Sequence, residues 1–232
     1  MWNIIWKWLR RLIIAFFLIS IISTLLFRFI PVPVTPLMLI RCVEQIASGE
    51  LPRIHKEWVS LSEMSPNIVL AVICSEDQKF SQHFGFDFQA IEKVVKQNEK
   101  LKKRGKPIKG GSTISQQCAK NVFLFPQRSY IRKAFEVYFT FLIEILWSKK
   151  RIMEVYLNVI EMGDGIYGIQ ATSEIYFKKD AKNLSSAEAA AIAAVLPNPR
   201  KWNAAHPNKY INKRKGWILR QMGHLRGSVH LN

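Results

Sequence analysis

Hydrophobic residues are concentrated in one uninterrupted run near the start of the chain. Residues 12–27 (LIIAFFLISIISTLLF) contain no charged side chain, and with the following RFIPV they make about 20 mostly apolar positions. An α-helix of that length is about 30 Å long, which matches the hydrocarbon core of a bilayer. The pattern therefore predicts a membrane-spanning helix at residues 12–32.

The residues around this run predict its orientation. Lys7, Arg10 and Arg11 precede it, so the positive-inside rule predicts a cytoplasmic N-terminus and an outer location for the rest. A cleaved signal peptide is the alternative, but the run is long and is followed by PVPVTP, not by a small-x-small cleavage site. The expected organisation is a short cytoplasmic N-terminus (1–11), a signal anchor (12–32), a linker and membrane-proximal segment (33–59) and a periplasmic domain (60–232).

Beyond residue 60 the hydrophobic positions recur mostly at the spacing of α-helices. Ser65 followed by Pro66 starts one helix, Asp87 caps a second, and Ser185 with Glu188 forms a capping box for a late one. Further helices are expected at about 113–121, near 129–147 and from Ser148 onward. Strand signals are few and short, so the sequence predicts a mainly α fold.

Two segments have distinct expected environments. The helix near 129–147 is expected to bury one apolar face, formed by Ala134, Val137, Tyr138, Phe141, Leu142 and Ile145. The stretch from Lys93 to Lys109 is strongly basic and contains Gly105 and Pro107. We expect it to be a solvated loop.

The overall charge predicts an anionic partner. The chain has 34 Lys plus Arg against 17 Asp plus Glu, a formal net charge of +17. Nucleic acid, acidic lipid or a phosphorylated substrate would suit this charge, and an outer location argues against nucleic acid. The three cysteines are widely spaced and form no CxxC pair, so they indicate small buried residues and not a disulfide framework or a zinc site.

Some motifs exclude other classes of protein. GDGIYG (163–168) fits GxGxxG, but a dinucleotide site needs a preceding strand in a βαβ unit. Here the motif follows the helical pattern IMEVYLNVIEM, so a tight turn between helices is expected. The chain contains no Ser-x-x-Lys, Lys-Thr-Gly or HExxH, which leaves the penicillin-sensitive and zinc-protease chemistries without their residues.

Two stretches carry candidate chemistry. In SEDQKFSQHFGFD, Glu76 and Asp77 end an apolar helical run, where a half-buried carboxylate is suited to general base catalysis; a solvated acidic helix end is the alternative. In GGSTISQQCAKN, hydroxyl and amide donors begin a short helix whose unpaired N–H groups favour an anion, and Lys120 follows about two turns later. An ordinary capped helix is the alternative there, and the Lys-Ser or Lys-Thr pair of a P-loop is missing.

A basic group precedes a second carboxylate. Arg128, Arg132 and Lys133 lead into a helix that carries Glu136. Arg132 and Glu136 have the (i, i+4) spacing of an ordinary surface ion pair. The functional alternative is a cationic wall beside Glu136.

The order of these blocks resembles a known family. EDQKFSQHFGFD, GGSTISQQCAKN, RKAFEVYFTFLIEILWSKKRIMEVYLN and GDGIYGIQATSEIYFKKDAKNLSSAEAAAIAAVLPNP are similar to the successive motifs of the family 51 glycosyltransferases, which polymerise peptidoglycan glycan chains. The match covers about residues 60–202. One N-terminal anchor and no penicillin-binding domain resemble the monofunctional members of Gram-negative bacteria. The resemblance implies a lysozyme-like, mainly helical, two-lobed domain partly sunk in the outer face of the inner membrane.

The resemblance also implies a substrate and its contacts. The substrate would be lipid II, a disaccharide-pentapeptide on undecaprenyl diphosphate, and the product a β-1,4 glycan formed with inversion. Glu76 and Glu136 match the two glutamates of the family, and the positions associated with substrate are Asp77, Phe80, His83, Thr113, Gln117, Lys120, Arg128, Arg132 and Lys133. The expected base is Glu76, and the cations are expected to neutralise the diphosphate.

Further partners and rival functions follow from the same motifs. The expected partners are lipid II, the nascent glycan strand, inner-membrane lipids and, as further candidates, other cell-wall synthases or division proteins. No cofactor is required by the sequence, and a divalent cation (Mg or Mn) on the diphosphate is one option for the role of Glu136. The alternatives to a polymerase are a glycan-cleaving enzyme of lysozyme-like fold and a non-catalytic cell-wall scaffold.

Overall fold

A computed structural model of the chain describes residues 2–105, 110–127 and 129–231. The α-helices in this part are Trp2–Phe29 (α1), Pro36–Ala47 (α2), Pro66–Glu76 (α3), Phe88–Lys102 (α4), Ile114–Phe123 (α5), Tyr130–Leu146 (α6), Lys149–Val159 (α7), Ile169–Phe177 (α8), Ser186–Val195 (α9) and Lys209–Leu225 (α10). The strands are His55–Lys56 (β1), Glu161–Gly163 (β2) and Ile166–Tyr167 (β3). The prediction of a mainly α fold is confirmed.

The helices begin where the capping residues are. The Ser65 side chain accepts a hydrogen bond from the Asn67 amide at 3.3 Å, and the Asp87 carboxylate accepts one from the Ala90 amide at 2.9 Å. Ser185 and Glu188 form a complete capping box at α9. Each cap satisfies an amide that the first turn of a helix leaves without a partner, so the predicted starts are confirmed.

The helices pack in two groups around one hydrophobic core. In the first group α3 packs against α9 and α10; in the second, α5 packs against α6 and α7, and α1 lies along α6. Helix α9 is buried from Ala189 to Val195, because its alanines let α3 approach closely. The chain passes from the first group to the second between α3 and α5. Residues at the end of α3 therefore lie at the boundary of the two groups.

The GxGxxG motif forms a β-hairpin. Strand β2 pairs antiparallel with β3, and β1 pairs parallel with the other edge of β3. Gly165 has φ +68° in the turn. The motif is a tight turn, as predicted, but it joins two short strands that the sequence pattern did not reveal.

Helix α4 extends further than predicted. It continues to Lys102, so the basic stretch that begins at Lys93 is mostly helical and not a loop. Residues 106–109 of that stretch lie outside the described part of the chain. Lysine and glutamine are good helix formers, and Lys96 pairs with Glu92 at (i, i+4) spacing, which supports the extension.

The buried face of α6 agrees only in part with the predicted one. Its buried residues are Glu136, Phe139, Thr140, Ile143 and Glu144. Tyr138 and Leu142 are partly buried against the core, as predicted. Val137, Phe141 and Ile145 were expected inside but are 44%, 51% and 54% exposed, and Ala134 is exposed as well. The helix is apolar on two faces, and hydrophobic periodicity does not distinguish a face for the core from a face for another apolar medium.

The first helix is bonded to the second group of helices. The Ser20 and Tyr138 hydroxyls are 2.7 Å apart, and Trp147 Nε1 donates to the Thr24 carbonyl at 2.8 Å. Near the end of α1, Arg151 Nη2 donates to the Phe27 carbonyl at 2.7 Å. Helix α1 is therefore docked on the domain by side-chain contacts along its second half.

Candidate active site

Glu76 is the last residue of α3 and lies at the boundary between the two groups of helices. Its Oε1 accepts hydrogen bonds from Ser75 Oγ at 2.8 Å and Arg214 Nη2 at 3.3 Å. Its Oε2 accepts one from Gln117 Nε2 at 3.1 Å. The side chain is 14% exposed. Three donors thus fix the direction of a carboxylate that still reaches solvent.

Two of the residues around Glu76 were not predicted from the sequence. Arg214 comes from α10 and also donates to Ser75 Oγ at 2.8 Å. Tyr156 comes from α7, and its hydroxyl donates to Gln117 Oε1 at 3.2 Å. Burial, and then the nearby Glu76 carboxylate, raise the pKa of Tyr156 well above its ordinary value, so the phenol keeps its proton. Tyr156 therefore fixes which end of the Gln117 amide faces Glu76.

Asp77 connects the end of α3 to the start of α5. Both of its oxygens are 3.0 Å from His83 Nε2, and Oδ2 also accepts a hydrogen bond from the Ile114 amide at 3.0 Å. Phe80 is fully buried, with the Lys149 ammonium 4.6 Å from the centre of its ring. The side chains of Asp77, Phe80 and His83 lie in positions that support the loop after Glu76.

The start of α5 differs from the anion cradle that the sequence suggested. Thr113 Oγ1 donates to the Gly85 carbonyl at 2.6 Å and accepts from the Gln116 amide at 3.2 Å, while Gln116 Oε1 accepts from the Thr113 amide at 3.0 Å. The Ile114 amide is taken by Asp77. The negative charge at the N-terminus of α5 is therefore the Asp77 carboxylate, and Thr113 acts as a buried helix cap.

A cluster of cations surrounds Glu136 on α6. The Glu136 carboxylate is buried, and it accepts hydrogen bonds from the Arg132 guanidinium and the Lys133 ammonium. Lys120 faces the same three charges from α5. The (i, i+4) pair of Arg132 and Glu136 thus forms as the spacing suggested, but its acid is 3% exposed and not on the surface. Arg128 lies outside the described residues.

Lys120 differs from the other two cations of this cluster, because Arg132 and Lys133 both form ion pairs with Glu136. Burial, partly offset by Glu136 and reinforced by Arg132 and Lys133, lowers the pKa of the Lys120 ammonium. No ion pair involves this ammonium within residues 2–105, 110–127 and 129–231. The three cations Lys120, Arg132 and Lys133 and the one carboxylate of Glu136 together leave an excess of two positive charges. Such a cluster suits an anion that carries two negative charges.

Comparisons with known proteins decide the family. The family model described as Transglycosylase matches residues 44–223. The chain is 56% identical to the biosynthetic peptidoglycan transglycosylase of Bacteroides thetaiotaomicron, over 93% of this chain and 86% of the relative. It is 48% identical to the protein of the same description from Haemophilus influenzae, over 98% of this chain and 92% of the relative.

The chain belongs to the transglycosylase family. The assignment to the peptidoglycan glycosyltransferases, made above from the order of the motifs, is confirmed. The roles of the individual residues stay predictions. In this transglycosylase α5 connects the two parts of the site. Gln117 donates a hydrogen bond to Glu76, and Lys120, which lies one turn later on the same helix, faces the Glu136 cluster.

The residues of the transglycosylase site do not fit a resident metal ion. Both oxygens of Glu136 already accept hydrogen bonds from cations, and a metal would have to displace them. Within the described ranges there is no group of three His, Cys, Asp or Glu residues that could hold a metal. Lys120, Arg132 and Lys133 already bring positive charge to this part of the site.

Proposed function

We propose that the chain extends peptidoglycan glycan strands by moving the growing, undecaprenyl-diphosphate-linked glycan onto the 4-hydroxyl of lipid II. The reaction forms a β-1,4 bond with inversion and releases undecaprenyl diphosphate. The observation that supports this most is the arrangement along α5. Gln117 positions the Glu76 carboxylate, and Lys120 on the next turn faces a cluster with two excess positive charges.

Glu76 acts as the general base in this proposal. The 4-hydroxyl oxygen attacks the anomeric carbon, and its proton moves to the Glu76 carboxylate as the new bond forms. The bonds from Ser75, Arg214 and Gln117 hold the two oxygens in one orientation before the acceptor arrives. A base that is already oriented does not lose conformational freedom during the reaction.

The cations act on the leaving group. Breaking the bond between the anomeric carbon and oxygen leaves the electron pair on the diphosphate, which is a stable anion and needs no proton. Lys120, Arg132 and Lys133 offset the charge that develops there. Asp77, Phe80, His83 and Thr113 support the positions of Glu76 and α5, and their proposed role is structural.

The second glutamate also separates this activity from hydrolysis of glycan. A lysozyme-like hydrolase needs a carboxylic acid that protonates the sugar leaving oxygen. Both Glu136 oxygens accept hydrogen bonds from cations, and both Glu76 oxygens also accept hydrogen bonds, so neither side chain is arranged to donate to a leaving oxygen. The geometry therefore favours transfer from a diphosphate donor over cleavage of a finished glycan.

The first helix fits a single-pass membrane anchor, with a mean hydropathy of 2.4 over its most apolar window. We propose that residues 12–32 span the inner membrane, with residues 1–11 in the cytoplasm, 33–59 as a membrane-proximal linker and 60–232 in the periplasm. The exposed Val137, Phe141 and Ile145 face of α6 supports partial immersion of the domain, because α6 is bonded to α1 through Ser20.

Polymerisation of labelled lipid II by the purified full chain tests the proposal. Glu76→Gln keeps the size of the side chain but removes the base, and we expect it to abolish polymer formation. Glu92→Gln is the matched control, because Glu92 is an exposed glutamate on α4. Polymer formation by the Glu76→Gln protein at the wild-type rate would overturn the assignment of the base. Cleavage of finished glycan without polymerisation of lipid II would overturn the function.

A further inference from the structure

One face of α10 carries a row of large side chains at helical spacing. Tyr210, Arg214, Trp217 and Gln221 are separated by four, three and four residues, so they lie above one another over about 16 Å. Tyr210 is 56% exposed and Trp217 39%. The Trp202 ring packs beside Tyr210 with 5.3 Å between ring centroids. We call Tyr210, Arg214, Trp217 and Gln221 the α10 row.

The α10 row is continuous with the candidate active site. Arg214, between the two aromatic residues, donates to Glu76 at 3.3 Å. Gln221 Oε1, further along the row, accepts a hydrogen bond from Gln78 Nε2 at 3.3 Å. Gln78 is two residues after Glu76. A polymer that leaves or approaches the Glu76 carboxylate on this side therefore meets the rings of Tyr210 and Trp217.

The charge around the row suits an anionic polymer. Residues 189–232 contain no Asp or Glu, and the exposed Lys209 and Lys213 lie on α10 itself. The stem peptides of a glycan strand carry carboxylates, so their charge is complementary to this surface. A lipid surface is the weaker alternative, because α10 packs in the first group of helices while the anchor α1 packs on α6 in the second.

The chemistry of the two aromatic residues matches a sugar chain. The face of a β-linked pyranose ring presents C–H groups, while its hydroxyls point outward. An aromatic face is electron-rich and attracts such C–H groups, and Tyr and Trp lose little conformational entropy when they are covered. Tyr210 and Trp217 lie about 10 Å apart along the helix, which suits alternate rings of a β-1,4-linked chain.

We propose that Tyr210 and Trp217 form a binding platform for the glycan strand next to the reacting sugar. The inference rests on the proposed function for the identity of the polymer. It adds that the strand is held by stacking on α10 and not only by its lipid diphosphate. Holding the strand after each transfer would keep the enzyme on one chain and lengthen the product.

Binding of uncrosslinked, lipid-free peptidoglycan strands to the Glu76→Gln chain tests the platform without turnover. We expect Tyr210→Ala and Trp217→Ala each to weaken strand binding about tenfold, which is a loss of about 1.4 kcal/mol in binding free energy. Trp217→Phe keeps a ring and is expected to restore most of the affinity. Phe88→Ala removes a more exposed aromatic residue from α4 and serves as the control. Far-ultraviolet circular dichroism checks that each variant is folded.

The outcomes separate the platform from the proposed function. If Tyr210→Ala and Trp217→Ala bind strands as tightly as their parent, the platform is refuted even when the wild type polymerises lipid II. Binding of anionic lipid vesicles, but not of strands, through these two residues would also refute it and indicate a membrane surface. Loss of strand affinity in both alanine variants, with Phe88→Ala unchanged, supports it independently of the base.

Discussion

Arg214 provides a direct test of how Glu76 is held. In Arg214→Ala the carboxylate loses its 3.3 Å bond to the guanidinium, and Ser75 Oγ loses its 2.8 Å bond. A hydrogen bond to a charged group contributes about 1.5–3 kcal/mol. The contact to Glu76 is long and the guanidinium is 24% exposed, so the lower end of that range applies. A loss of about 1.5 kcal/mol in the transition state corresponds to a fall in kcat of about tenfold.

The assay is the initial rate of lipid II polymerisation over a range of substrate concentrations. Arg214→Lys keeps the positive charge but loses the forked pair of N–H groups, so a smaller fall in kcat is expected. Arg220→Ala removes an exposed arginine of the same helix and is the control. A wild-type kcat in Arg214→Ala, or an equal fall in Arg220→Ala, would contradict the positioning of Glu76 by Arg214.

The cationic cluster and the Gly85 turn give two further predictions. Burial lowers the pKa of the Lys120 ammonium below 10.5, so KM for lipid II should rise at alkaline pH in the wild type. The rise should be smaller in Lys120→Arg, because the guanidinium stays charged, and Lys103→Arg is the control. Identical pH profiles of kcat/KM in the wild type and Lys120→Arg would contradict this role of Lys120. Gly85 has φ +74°, and an added Cβ would lie 2.8 Å from Thr140 Cγ2. Gly85→Ala should therefore lower the free energy of unfolding by about 2–4 kcal/mol, measured by thermal unfolding. Gly110→Ala is the control and should leave the stability unchanged, because the space around Gly110 is open.

The sequence predicted the local parts of the structure well. Helix starts depend on a few adjacent residues, so the caps at Ser65, Asp87 and Ser185 were found where they were expected. The long apolar helix α1 was visible from composition alone. These features need no knowledge of which helices pack together.

Long-range contacts were not predictable in the same way. Arg214 is far along the chain from Glu76, and an arginine on a basic helix gives no signal of the carboxylate it meets. Asp77 was expected to contact substrate, but its bond to the Ile114 amide could be seen only once α3 and α5 were brought together. The exposed apolar face of α6 has the same periodicity as a core face, so its environment depends on what surrounds the protein.

The docking of α1 has a consequence for preparing a soluble enzyme. The Phe27 ring lies 6.2 Å from Phe123 of α5, and Phe16 packs against Phe139 of α6. A truncated chain that begins after Pro31 would uncover both of these partners and leave Arg151 without the Phe27 carbonyl. The smallest unit that keeps the site-bearing helices covered therefore includes the second half of α1, from about Phe16. That unit also carries the exposed apolar side chains of α1, so we expect its purification to need a detergent or a lipid disc.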